Sequence, residues 1–193
     1  MTYIPENQVT NGSKVRLCPK RLAHALNDYT WKKDTELARL VDAPPLTITF
    51  PDYLLNYASQ LSSSGSTRHE FAIETLDGKH IGNCACFDIN ETKGEAEIGI
   101  MIGDRRYWDR GYGTDAVNIV LEYTFGQMNL QRIHLKTLSS NKRAQKCFGR
   151  CGFAPYGHLV KDGDRFILME LRRSQWQQYS NISPSGQGDN SGT

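Results

Sequence analysis

The absences in this 193-residue chain narrow its function before any motif is read. No uninterrupted apolar run approaches the ~18 residues that span a bilayer, so no membrane segment is expected. Residues 1–7 have neither the basic region nor the apolar core of a signal peptide, and a cytoplasmic location is expected. Lys and Arg total 23 against 21 Asp and Glu, a net charge of +2. With no arm of clustered Lys and Arg, nucleic acid is not an expected partner. Cysteine is scarce and odd in number, at five, which makes no disulfide framework in a chain of this size. Cys84 and Cys86 would share a strand face, and Cys147 and Cys151 a helix face. Neither pair has the Cys-x-x-Cys spacing of a zinc knuckle, so all four read as small buried apolar residues and no metal is expected. The histidines, His24, His69, His80, His134 and His158, are scattered without ligand spacing; His134, between apolar strand neighbours, reads as structural.

The most informative stretch runs from Arg105 to Ala116, Arg-Arg-Tyr-Trp-Asp-Arg-Gly-Tyr-Gly-Thr-Asp-Ala. It follows a strand-like run, Ala96–Ile102, and opens onto a helical pattern in which Val117, Val120, Leu121, Thr124 and Met128 fall on one face. A glycine-bearing turn at a helix start leaves backbone N–H groups unpaired and adds the positive end of the helix dipole, which suits phosphate. Gly111 and Gly113 let the backbone approach a bulky anion, and Arg105, Arg106 and Arg110 bias the local potential towards it. No Lys-Ser or Lys-Thr follows Gly113, so this is not a nucleotide triphosphate loop. The three glycines of the dinucleotide fingerprint are also missing.

A second segment follows another strand-like run, Arg132–Leu138. It reads Asn141-Lys-Arg-Ala144-Gln-Lys-Cys147-Phe148-Gly-Arg-Cys151-Gly152-Phe153. Asn141 is a good helix N-cap, Ala144, Cys147, Phe148 and Cys151 form an apolar stripe, and Gly152 ends the helix. Trp108–Ala116 resembles the pyrophosphate loop of the GNAT superfamily of acetyl-CoA-dependent N-acetyltransferases. It is most similar to the branch of ribosomal-protein amino-terminal acetyltransferases. The Asn141–Phe153 segment resembles the family's second motif, in the same order and spacing.

Elsewhere the pattern is coarser. Ser13–Cys18 alternates as a first strand, and Lys20 to about Val41 reads as two short helices broken near Asn27–Thr30, ended by Pro44 and Pro45. Pro51 to about Leu61 is a third helix, followed by a flexible loop over residues 62–66. Glu70–Leu76 and Lys79–Ile89 flank an Asp-Gly turn and read as a hairpin, as do Ala154–Val160 and Arg165–Leu171 around Asp162-Gly163. Residues 1–12 are expected to be a loose arm, 13–175 the acetyltransferase domain, and 176–193 a disordered tail. The fold class is α+β: one domain with a mixed, mostly antiparallel twisted sheet of about seven strands and helices on both sides. The resemblance implies a sheet splayed between the glycine-loop strand and the next.

The resemblance also implies the site. Acetyl-CoA is the expected cosubstrate, transferring its acetyl group directly to a primary amine in a ternary complex. The pyrophosphate would meet Arg110, Gly111, Tyr112, Gly113 and Thr114. The pantetheine arm would meet the backbone of Met101 and Ile102, with Asn141, Ala144 and Phe148 alongside. Deprotonating an ammonium needs a base, and Glu97, on the strand face opposite Ile98, Ile100 and Ile102, is the candidate. Tyr29, Trp31 and Tyr53 are candidates for the acceptor side. Many relatives carry a tyrosine acid where this chain has Phe148, which cannot donate a proton; Tyr156, Cys147 and Ser140 are the possible substitutes. The acceptor would be a small amine or a protein amino terminus, and a homodimer is compatible with the family. The alternative is a weakly catalytic acyl-CoA-binding or sensing module.

Overall fold

The computed structural model describes residues 9–61 and 68–182. Alternating apolar and polar residues build β1 (Thr10–Asn11), β2 (Val15–Pro19), β3 (Arg68–Thr75), β4 (His80–Asn90), β5 (Glu95–Ile102), β6 (Arg132–Leu138), β7 (Ala154–Lys161) and β8 (Asp164–Arg172). They form one sheet in the order β1-β2-β3-β4-β5-β6-β8-β7. Every neighbouring pair is antiparallel except β5 and β6. Both expected hairpins form, and the second turns on Asp162 and Gly163 with φ of 51° and 83°, the left-handed pair that matches strand twist. The eighth strand comes from Thr10 and Asn11, which pair with Leu17 and Arg16; the end of the expected arm is therefore sheet, and residues 1–8 lie outside the described chain.

The helices are α1 (Ala25–Lys33, preceded by a 3-10 turn at Leu22–His24), α2 (Thr35–Leu40), α3 (Phe50–Leu61), α4 (Tyr112–Leu121, continued by a π turn over Glu122–Gln127), α5 (Lys142–Arg150) and α6 (Arg173–Ile182). The expected break near residues 27–30 is instead at Asp34, whose carboxylate caps α2 by accepting from the Leu37 N–H at 3.0 Å. Asn27, Asp28 and Thr30 sit inside α1 because their polar groups find other partners. Thr30 bonds back to the Leu26 carbonyl at 2.9 Å, and Asp28 is buried against Tyr57 and Asn83. Residues 173–182, expected mostly as tail, form α6, with Trp176 against the Phe125 ring. Residues 62–66 and 183–193 of the expected loop and tail lie outside the described residues.

One sheet face buries Val15, Leu17, Ile73, Cys84, Cys86, Ala96, Ile98, Ile133 and Leu135 against Val117, Val120, Leu121 and Phe125 from the α4 region. Burying these apolar groups is the main stabilising term, at roughly 25 cal/mol per Å². The other face carries polar residues that meet long-range partners. Glu74, 1% exposed, is held by Arg16 at 2.7 Å, by Arg21, and by His24 Nε2 at 2.9 Å. Burial opposes its ionisation, but these partners outweigh that and depress its carboxyl to about 2. Cys18, His24 and Glu74 are close enough to suggest a metal site, yet the carboxylate is already saturated by cations.

The feature that positions the site lies between β5 and β6. They pair only at Glu95–Arg132, Ala96–Ile133 and Glu97–His134. Beyond that last rung β6 keeps its bonds to β8 as far as Leu138, while residues 98–102 of β5 have no neighbour on that side. The sheet is splayed there.

Candidate active site

The α4 turn is built by local chemistry. Gly111 stands before the helix with φ 83°, a conformation that glycine adopts without steric cost. The first helical bond runs from the Asp115 N–H to the Gly111 carbonyl at 3.0 Å, so the amides of Tyr112, Gly113 and Thr114 precede the ladder and are left for a ligand. The Asp115 carboxylate accepts from Ser13 N–H (3.1 Å), Ser13 Oγ (2.8 Å), Lys14 N–H (2.8 Å) and Val15 N–H (2.9 Å), tying the start of β2 to this turn. Burial raises its pKa, but the four donors lower it further. Asp115→Ala should cost about 1–3 kcal/mol by stranding those donors and should weaken cofactor binding; thermal melts and calorimetry read both, and an unchanged melt refutes the tether.

Of the three arginines expected to attract an anion, two are spent elsewhere. Arg105 pairs with Asp34 (2.8 Å) and Glu36 (2.6 Å), and Arg106 with Asp104 (2.7 Å). Arg110 is exposed, and its carbonyl accepts from Lys14 Nζ at 2.9 Å, a cation that also lies over the Tyr112 ring.

A cleft of about 250 Å³ runs from this turn into the splay. Met101, Ile102, Gly111, Gly113, Thr114, Asn141, Ala144 and Phe148 all line it; Arg110 and Tyr112 do not. Asn141 caps α5 by accepting from the Ala144 N–H at 3.1 Å. Ile100 and Ile102 pack against the edge of the core but also line the cleft, because β6 has turned away from them. Sequence reasoning missed the α2 wall of Leu37, Leu40 and Val41, an apolar stripe indistinguishable from core packing. It gave no role to Trp108, whose indole N–H donates to the Ile102 carbonyl at 2.6 Å. Arg143, with Lys146 a candidate from sequence for the cofactor's adenosine phosphate, stacks its guanidinium 3.3 Å over the Trp108 ring, and both cations line the cleft. Of the substitute acids, only Cys147 lines the cleft; Tyr156 is exposed on β7 under Arg132, and Ser140 is exposed.

Glu97 lies at the apex of the splay, on the face opposite Ile98, and is partly buried. Burial pushes its carboxyl above the ordinary range; Lys136 opposes this, while Asp88 and Asp42 add to it. His134, read from sequence as structural, faces it with Nδ1 4.0 Å from Oε2. Burial lowers the imidazole pKa, with Arg132 assisting. Lys136 is held by Asp42 at 2.7 Å, a carboxylate that also takes Lys161 at 2.9 Å.

The aromatic candidates do not reach the cleft. Trp31 packs on Gly103, where an added Cβ would fall 2.1 Å from the ring, and its centroid is 4.8 Å from that of His80. Tyr29 packs on Phe50 and Tyr53 and donates to the Ile48 carbonyl at 3.2 Å. Tyr53 is buried between α1 and α3, and its hydroxyl is the only buried side-chain polar atom among the described residues without a partner.

An extended cleft with free amides at one end and an unpaired strand edge along its side suits a long cosubstrate carrying a diphosphate. The sequence profile of the acetyltransferase (GNAT) domain matches residues 15–154. The chain belongs to the GNAT acetyltransferase family. Its activity is therefore acetyl-CoA-dependent N-acetylation of an amine. An uncharacterized N-acetyltransferase, p20 of Bacillus licheniformis, is 27% identical over 133 residues, covering 68% of this chain and 74% of that protein. The spermidine N(1)-acetyltransferase of Vibrio cholerae is 29% identical over 97 residues, half of this chain and 56% of that protein. The human alpha/beta-tubulin-N-acetyltransferase 9 is 27% identical over 158 residues, 77% of this chain and 76% of that protein. Among solved structures, the V. cholerae spermidine N-acetyltransferase in complex with CoA and spermine superposes with a TM-score of 0.76 at 20% identity. It covers 86% of this chain and 99% of that one. The GNAT fold accounts for the splay, and among the described residues no helix is long and apolar enough to cross a membrane.

Proposed function

We propose that Glu97 is the general base of a direct acetyl transfer to a cationic primary amine. The observation that carries this reading is the alignment of three features along one splay: the free amides at Gly113, the unpaired edge of β5 and the carboxylate at its apex. Acetyl-CoA supplies the activated acetyl thioester. The amides of Tyr112, Gly113 and Thr114 hold its diphosphate, with the positive end of α4 behind them and Arg110 beside them. Met101 and Ile102 present backbone to the pantetheine arm, while Asn141, Ala144 and Phe148 wall it. Glu97 removes a proton from the acceptor ammonium, directly or through one water, and its raised pKa suits that task near neutral pH. No acid is needed at Phe148, because a thiol is a good leaving group at neutral pH.

The acceptor is approached from the sheet face that carries Glu97. Asp88 adds negative charge beside this carboxylate, favouring a cationic amine, whereas Asp42 is already paired with Lys136 and Lys161. A small polyamine, the substrate class named for the spermidine relatives, is the first reading. A protein amino terminus is the second, favoured by the longer match to the tubulin acetyltransferase and by the likeness of Trp108–Ala116 to the ribosomal-protein branch. Thiol release from acetyl-CoA should be measured with spermidine, an aminosugar and a peptide amino terminus. Turnover with spermidine is the expected result. Turnover with the peptide alone selects the second reading, and binding without turnover on every amine selects the sensing module.

A further inference from the structure

We propose that His134 is the proton-relay partner of Glu97, receiving the proton that Glu97 takes from the acceptor and passing it to solvent. The proposal rests on the reading of Glu97 as base. It starts from geometry: Glu97 and His134 form the last rung of the parallel ladder, so their side chains project on the same face where the strands part. Nδ1 lies 4.0 Å from Oε2, a gap closed by a small side-chain rotation or one bridging water. Both side chains are about one-fifth exposed, so the pair is largely shielded while the imidazole keeps an edge on solvent.

The reaction requires such an exit. An ammonium and a thioester give an amide, a thiol and one proton in excess. In the first transfer an N–H bond of the acceptor ammonium breaks and an O–H bond forms on Glu97. The amine then forms the C–N bond as the C–S bond breaks, and its second surplus N–H proton goes to the departing sulfur, giving the thiol. In the second that O–H bond breaks and an N–H bond forms on His134 Nδ1; the imidazolium then releases a proton to water, leaving both groups as they began.

The surrounding charges decide between partners. Glu97 faces His134 and Lys136 from β6, Asp88 from β4 and Asp42 from the end of α2. Lys136 would compete for the carboxylate, but Asp42 holds its ammonium at 2.7 Å. His134 faces Arg132 on its own strand, Glu95 on β5, Glu170 on β8 and Asp88. Burial and Arg132 keep the imidazole neutral at rest, with a lone pair free for the proton.

The test compares His134→Gln, His134→Ala and Glu97→Gln in steady-state kinetics across pH, with imidazole added to the alanine variant. His134→Gln and His134→Ala should each lower kcat roughly tenfold, less than the ~10²-fold expected for losing the base itself. The KM for acetyl-CoA should stay unchanged, imidazole should restore the alanine variant, and Glu97→Gln/His134→Gln should be no slower than Glu97→Gln. If Gln at 134 supports the full wild-type rate and pH profile, the relay is refuted even while Glu97→Gln is slow. If Glu97→Gln is itself fully active, the base reading fails instead. NMR titration of His134 in folded wild-type and Glu97→Gln protein reads the pair without turnover. Its pKa should fall further when Glu97 becomes Gln, and an unchanged titration refutes the coupling.

Discussion

Replacing Glu97 with Gln should lower kcat by at least ~10²-fold, the usual contribution of a positioned base, while leaving acetyl-CoA affinity where it was. The two effects separate because Glu97 is not among the residues lining the cofactor cleft. The amide keeps the shape and cannot take a proton. The pH profile supplies a second signature. Burial raises the folded pKa of Glu97, so the carboxylate is present above that raised value and is lost as pH falls through it. Wild-type kcat/KM should therefore show an acidic limb displaced upward from the ordinary carboxylate range, and the Gln variant should lose that limb. Stopped-time assays of thiol release, with calorimetry for the cofactor, measure both. A Gln variant with the wild-type rate and limb removes Glu97 from the chemistry.

The parts of the site that were legible in the sequence are those fixed by short-range rules. Gly111 must tolerate a positive φ before α4, and Asn141 must cap α5 three residues before Ala144; both are matters of neighbours in the chain. The helix break was misplaced for the opposite reason. Asp28 resembles a helix breaker until its partners are known, and Asn83 stands 55 positions away. Arg105 looked like an anion-binding group beside the glycine loop, but Asp34 and Glu36, about 70 positions away in the chain, neutralise it. The splay was beyond reach of periodicity. Alternation shows that β5 and β6 are strands, but the end of their pairing at Glu97 and His134 depends on where β6 commits its bonds to β8. For the same reason His134 looked structural: its significance lies in the residue opposite it, across a register that only the fold defines.

Removing the carboxylate of Asp28 should cost the fold about 3–5 kcal/mol, the usual penalty for leaving one member of a buried ion pair alone. Asp28 is 1% exposed and pairs with the nearly buried ammonium of Lys20; it also accepts from Tyr57 Oη at 3.0 Å and from Asn83 Nδ2 at 2.6 Å. In Asp28→Ala the Tyr57 hydroxyl and the Asn83 amide N–H lose their acceptor, and Lys20 keeps only the neutral Asn83 Oδ1 in place of its counter-charge. Burial already lowers the Lys20 pKa, with Asp28 opposing that fall. Without Asp28 the folded value drops further below the unfolded one, so the unfolded state binds more protons and the variant's stability should rise with pH between the two. Wild-type protein, whose pair is intact, should show a weaker slope. The consequence reaches the cleft because Asn83 pairs in register with Met101 on β5, so the network braces the strand that meets the cofactor from behind. Asp28→Leu combined with Lys20→Met, which removes both charges and fills the space, should recover most of the loss. Denaturant melts of the single and double variants at several pH values decide the matter, and a single variant as stable as wild type would mean that Lys20 and Asp28 do not depend on each other.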